Sequence, residues 1–212
     1  MNRVLRWVFF TVIVRTVILL VLGLNVRNRE RLPTEGPAVL AANHNSHLDT
    51  MVLMSLMGTR RGRVRPVAAA DYFLRNRFMT WFSLQIIGVL PIERQRSEDG
   101  GDPLAACGEA LERGEILIFF PEGSRGEPEQ LAQFRGGVAK LAARHPDVPV
   151  VPIYTHGLGK ALPKGQALLV PFFADVFVGE GLRGSDVDGD FLEALRERFE
   201  GLRKEGVFAD WD

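Results

Sequence analysis

Several short apolar runs set the frame for this chain, because they are too short for buried helices and lack the alternation of a strand with one wet face. They are AVLAA at 38–42, VRPVAAA at 64–70, IIGVLPI at 86–92, EILIFF at 115–120 and VPVVPIY at 148–154. Such runs read as strands buried on both faces, which need helices above and below them. Helical patterns fill the gaps at 48–57, 72–84, 103–113 and 137–144, with another at 191–204 after a last strand near 172–178. Asp102 before Pro103 reads as an N-cap with proline at the first helical position. The order predicts an α/β fold with a mixed, largely buried sheet and helices packed on it. Nothing repeats, and one cysteine, Cys107, excludes a disulfide scaffold. It sits beside Ala105 and Ala106 and reads as a packing residue. No Cys/His spacing points to zinc.

The amino terminus is of another kind. WVFFTVIV at 7–14 and TVILLVLGL at 16–24 form two apolar runs broken by Arg15. As a helix this stretch reaches roughly 27 Å, close to the thickness of a bilayer's hydrocarbon core. Arg15 near the middle costs at least about 2.5 kcal/mol there unless it snorkels or the helix lies shallow. Spanning and partial insertion are both compatible with the pattern. The following NVRNRERL has no small-residue cleavage site, so an uncleaved anchor is expected, with its arginines favouring the cytoplasmic face for the rest. Residues 1–31 are thus read as an N-terminal hydrophobic membrane-anchoring helix and its flank, and residues 32–212 as the folded domain.

Net charge is zero, from 26 basic and 26 acidic residues, which argues against a nucleic-acid partner. The zero hides a split. Residues 1–96 hold 14 basic and 5 acidic side chains, and residues 97–212 hold 12 and 21. The basic part also contains YFLRNRFMTWFSLQII at 72–87, where aromatic rings mix with Arg75 and Arg77 as at a membrane interface. The expectation is that these charges gather on a membrane-facing side beside a site for anionic lipid.

Two segments carry chemistry, each directly after an apolar run. In NHNSHLD, residues 43–49, one turn can bring the Asp49 carboxylate onto the His44 imidazole, the orienting half of a catalytic triad. His47 is a rival base, and Asp49 could equally cap the next helix. No GxSxG elbow supplies a protein nucleophile, so the hydroxyl to be activated can belong to a substrate. In IFFPEGSRG, residues 118–126, Gly123 and Gly126 permit tight turns, Glu122 offers a carboxylate and Arg125 a fork suited to phosphate.

These residues resemble the glycerolipid acyltransferase family, which includes 1-acylglycerol-3-phosphate acyltransferase (PlsC-type). NHNSHLD matches its first block, and GVLPIER at 88–94 resembles its second. FPEGSRG at 120–126 matches the third, and VVPIY at 150–154 resembles the fourth. Pro91 departs from the usual aromatic residue, Gly126 from a frequent Ser and Arg135 from a frequent Lys. The resemblance implies that His44 is the general base and Asp49 its orienting partner. It implies further that Arg94, Glu122, Gly123, Ser124 and Arg125 position a phosphate-bearing acceptor. Pro152 is expected to shape a strand end near the acyl chain. Expected partners are a phospholipid bilayer, a lysophospholipid and acyl-CoA or acyl carrier protein, with no metal, no resident cofactor and no nucleic acid. The implied setting is membrane-associated, with the site on the cytoplasmic side, and the implied product is phosphatidic acid. Alternatives are another acceptor (glycerol 3-phosphate, another lysophospholipid or a lyso-aminolipid), a thioester hydrolase, or a catalytically silent lipid-binding module.

Overall fold

The computed structural model describes residues 2–73, 76–93, 101–127, 130–162, 170–206 and 208. Residues 3–20 are helical: α1 (Arg3–Val8), a π-helical stretch (Phe9–Val14) and α2 (Arg15–Leu20). After them come β1 (Leu22–Arg27), β2 (Ala38–Ala42), α3 (His47–Leu56), β3 (Val64–Ala69), α4 (Ala70–Phe73) and α5 (Arg77–Phe82). A second π-helical stretch (Ser83–Ile87) leads to β4 (Leu90–Ile92), α6 (Ala105–Glu112), β5 (Ile116–Phe119) and α7 (Gly137–Arg144). The chain closes with β6 (Val150–His156), α8 (Leu158–Ala161), β7 (Phe172–Val178) and α9 (Phe191–Glu205).

The strands form one seven-stranded sheet in the order β1-β7-β6-β2-β5-β3-β4. All neighbours are parallel except β6 and β7. The expected mixed, buried sheet is therefore present. Burial on both faces explains the unbroken apolar runs. Leu40, Ile118 and Ile153 face one core, which also takes Phe10, Val14, Ile18, Val52 and Leu53. Val39, Leu117 and Tyr154 face the other, completed by Cys107, Leu141, Leu195 and Phe199.

Some boundaries differ from expectation. Residues 22–27, within the segment read as an anchor, form an edge strand in register with β7, Leu22 opposite Phe172. The run at 86–92 is strand only over Leu90–Ile92, because Gly88 at φ 79° ends a helical stretch. The helix expected at 72–84 is interrupted, with Asn76 accepting from the Phe78 N–H at 2.8 Å to start α5. Asp102 accepts from the Leu104 N–H at 3.2 Å in a turn, and α6 itself begins at Ala105.

The amino-terminal helical stretch presents apolar side chains on two sides. Arg6, Phe10, Val14 and Ile18, four residues apart, form the buried stripe. Val4, Leu5, Trp7, Val8, Val12, Ile13, Leu19 and Leu20 are exposed. Phe9 meets Phe82 edge-on at 5.2 Å, which sets this helix beside α5 and its exposed Phe78, Met79 and Trp81. Among the described residues no helix is long and apolar enough to cross a membrane.

Part of the basic surplus is paired within the fold, and Arg75, Arg94 and Arg96 lie outside the described residues. The buried Arg6 donates to the Val64 carbonyl, Arg31 pairs with Glu180 at 3.4 Å, and Arg65 pairs with Glu115 at 3.0 Å. The two oppositely charged parts of the chain thus neutralise each other in part where they meet.

Candidate active site

The site is built at the carboxyl ends of the central strands β2, β5 and β6, where open α/β sheets collect ligands. After β2 the chain runs through Asn43 and His44 to Ser46, whose extended backbone (φ −144°, ψ 158°) makes it the N-cap of α3. Ser46 and Asp49 form a capping box. The Asp49 Oδ2 accepts the N–H groups of Asn45 at 2.8 Å and Ser46 at 2.9 Å, and lies 2.9 Å from His44 Nδ1. Asp49 is therefore both a helix-start residue and the partner of His44. An ionised carboxylate there favours hydrogen on Nδ1 and so puts the ring's lone pair on Nε2. Asp49 is fully buried, whereas the His44 side chain keeps 18% exposure, enough to be reached from outside.

His44 is held from further directions. Asn43, with no exposed surface, donates to the Thr155 carbonyl at 2.8 Å and accepts from the Thr155 N–H at 2.6 Å, latching β2 to β6. The Phe120 ring stacks on the imidazole with centroids 3.9 Å apart and planes at 17°. The Gly126 N–H donates to the His44 carbonyl at 2.9 Å, and the His44 N–H donates to Glu122 Oε1 at 3.3 Å. The loop after β5 thus grips the base by its ring and by both of its main-chain polar groups.

Glu122 is buried, and among the described residues its Oε2 has no hydrogen-bond partner. Burial pushes its carboxyl up to about 7, with the negative charge of Asp49 adding to the rise and the amides of His44 and Ala132 opposing it. Gly123 adopts φ +72°, and a Cβ there would stand 2.8 Å from Cδ of Arg135, whose side chain lies against this backbone. The Arg135 N–H donates to the Pro121 carbonyl at 2.8 Å, fixing that segment to the loop. Ser124 is exposed and Arg125 half-buried. His47, the rival base, opens α3 with an exposed side chain. Desolvation lowers its pKa, helped by Arg125 and His44 and opposed by Asp49. Arg94 lies outside the described residues.

Among the described residues no cluster of His, Cys, Asp and Glu gathers as metal ligands. Cys107 is buried, and burial first, then Asp102, pushes its thiol up to about 12, which makes it a packing residue without a thiolate. Pro152 is buried within β6. The sequence reading assigned no role to Asn43, Phe120, Ser46 or Thr155. Only Ser46 carried a local signal, the S-x-x-D spacing to Asp49.

The sequence profile of the acyltransferase family matches residues 23–156, a span that contains the whole of this site. The chain is 32% identical over 167 residues to a chloroplastic 1-acyl-sn-glycerol-3-phosphate acyltransferase of Arabidopsis thaliana, covering 78% of this chain and 45% of that protein. It is 32% identical over 133 residues to the human 1-acyl-sn-glycerol-3-phosphate acyltransferase beta, covering 62% of this chain and 46% of the human protein. The chain spans about half the length of the curated relatives it matches. The crystal structure of the 1-acyl-sn-glycerophosphate (LPA) acyltransferase PlsC from Thermotoga maritima has the same fold, with a TM-score of 0.74 at 18% identity over 93% of this chain and 78% of that one.

Proposed function

The chain belongs to the acyltransferase family, and from that premise we propose that it moves a fatty acyl group from a thioester donor to the free hydroxyl of a lysophospholipid. The acceptor in this reading is 1-acyl-sn-glycerol 3-phosphate and the product phosphatidic acid. The observation that carries it is the His44–Asp49 pair at 2.9 Å, partly open to solvent at the carboxyl end of the sheet.

Chemistry follows from the pair. With Nδ1–H donated to Asp49, Nε2 takes the proton of the acceptor hydroxyl as its oxygen attacks the thioester carbonyl. The new C–O bond forms, the C–S bond breaks, and the imidazolium returns its proton to the departing thiolate. Asp49 stabilises the transient imidazolium. No acyl-enzyme is required, and acyl-CoA or acyl carrier protein serves equally well as the donor in this scheme. Gly123, Ser124 and Arg125 lie in the loop between Glu122 and Gly126, which both bond His44, and Arg125 and Arg94 are assigned to the acceptor's phosphate, to which guanidinium offers bidentate bonds.

An acceptor that lives in a bilayer and a water-soluble thioester must meet at a membrane surface. The exposed apolar side chains of residues 4–20, continued by Phe78, Met79 and Trp81, are assigned to that contact, with the site on the cytoplasmic side. The test is purified protein with a panel of acceptors and both donor types, analysed by mass spectrometry of the lipid products. Acceptor-dependent phosphatidic acid is the expected result. Thiol release that needs no acceptor would replace this reading with a hydrolase.

A further inference from the structure

We propose that Glu122 is a positioning residue that acts through His44 rather than a contact for the acceptor. This rests on the reading of His44 as the base, and deepens it.

The geometry separates the two roles. Glu122 retains only 3% exposure, so its carboxyl has almost no surface to offer a ligand. Its Oε1 receives the backbone N–H of His44 at 3.3 Å. Its Oε2 is enclosed at Gly126, where an added Cβ would come within 3.2 Å of it. Gly126 in turn donates to the His44 carbonyl at 2.9 Å. Glu122 and Gly126 therefore hold the two ends of one residue's main chain, while Phe120 of the same loop covers its ring. What Glu122 controls is where the imidazole sits, and proton transfer is sensitive to misplacement on the scale of an ångström.

The packing of Oε2 against Gly126 accounts for the small residue there. A larger side chain would push Oε2 and, through it, the His44 amide. Glutamine is the nearest substitute for Glu122. Burial raises the carboxyl to about 7, so the group is readily protonated near neutrality, and the neutral amide of glutamine keeps an oxygen for the His44 N–H.

The test uses the full chain, with phosphatidic acid formation measured against acceptor concentration for Glu122→Ala, Glu122→Gln and Gly126→Ala. Melting curves of each are taken alongside. The expected result is that Glu122→Ala lowers kcat by about tenfold or more, as for loss of a positioning hydrogen bond, with acceptor KM changed less than about threefold. Glu122→Gln recovers a substantial part of that loss, and Gly126→Ala lowers kcat in the same sense. A raised acceptor KM at preserved kcat in Glu122→Ala would overturn the proposal, as would a Glu122→Gln variant no better than Glu122→Ala. If Glu122→Ala does not fold, Gly126→Ala decides by the same split between kcat and KM. His44→Ala is the separate control. Full activity there defeats the base assignment itself, whatever the Glu122 variants do.

Discussion

Replacing Asp49 by Asn isolates one physical quantity, the charge beside the imidazole. The N–H groups of Asn45 and Ser46 and the Nδ1 of His44 lie at Oδ2, while Oδ1 is buried with no partner among the described residues. The amide oxygen will therefore occupy the Oδ2 place and the NH2 group the Oδ1 place, preserving the capping box and the orientation of the ring. What disappears is a full negative charge about 4 Å from the centre of an imidazolium. With an effective dielectric constant of about 20 that attraction is on the order of 4 kcal/mol, or about 10³-fold in rate. The burial of an unsatisfied NH2 costs about 1–3 kcal/mol of stability, a separate effect read from denaturant midpoints. The assay is acceptor-dependent thiol release at saturating acceptor, checked by the lipid product. A fall of about 10³-fold in kcat with acceptor KM little changed is expected. An Asp49→Asn enzyme within tenfold of the parent would refute the claim that Asp49 stabilises a charge formed on His44.

Three further outcomes follow from the geometry. Gly123→Ala places a Cβ at φ +72° and 2.8 Å from Cδ of Arg135, so a loss of about 1–2 kcal/mol in chemical denaturation is expected. Glu122, whose pKa in the folded chain is raised from 4.5 to about 7, binds its proton more tightly when folded. Its contribution therefore favours folding at low pH and is lost as pH rises from about 4.5 through 7, on the order of 3 kcal/mol in all. Glu122→Gln should flatten that part of the curve of stability against pH. Replacing the exposed Val12 and Ile13 by Ser should weaken co-flotation with anionic phospholipid vesicles and leave the melting temperature within a few degrees, because neither side chain contributes to the core.

The central strands were legible because burial on both faces leaves no polar position in the pattern, and β2 falls on AVLAA as read. The edge strand β1 was not. LGLNVR continues an apolar stretch without interruption, and its pairing with β7 depends on residues 150 positions away. At 86–92 the reading joined two elements that Gly88 separates, a left-handed glycine that is an ordinary helix stop. Within the site, the His44–Asp49 pair was readable because both residues lie in one turn. The grip of the β5 loop on His44 was not, since it joins residues 78 positions apart through a main-chain amide that any residue at 44 would provide. The charge split was real in the sequence, and folding brings Arg31 to Glu180 and Arg65 to Glu115, a pairing between distant segments that the split itself did not foretell.

The most direct test of the central claim is the turnover of His44→Ala. Purified parent and variant are compared for formation of phosphatidic acid from 1-acyl-sn-glycerol 3-phosphate and an acyl thioester, by mass spectrometry. Loss of a well-placed general base predicts a fall of about 10²- to 10⁴-fold in kcat in a variant that folds and still reaches vesicles. Acceptor-dependent turnover at the parent's rate would contradict the account.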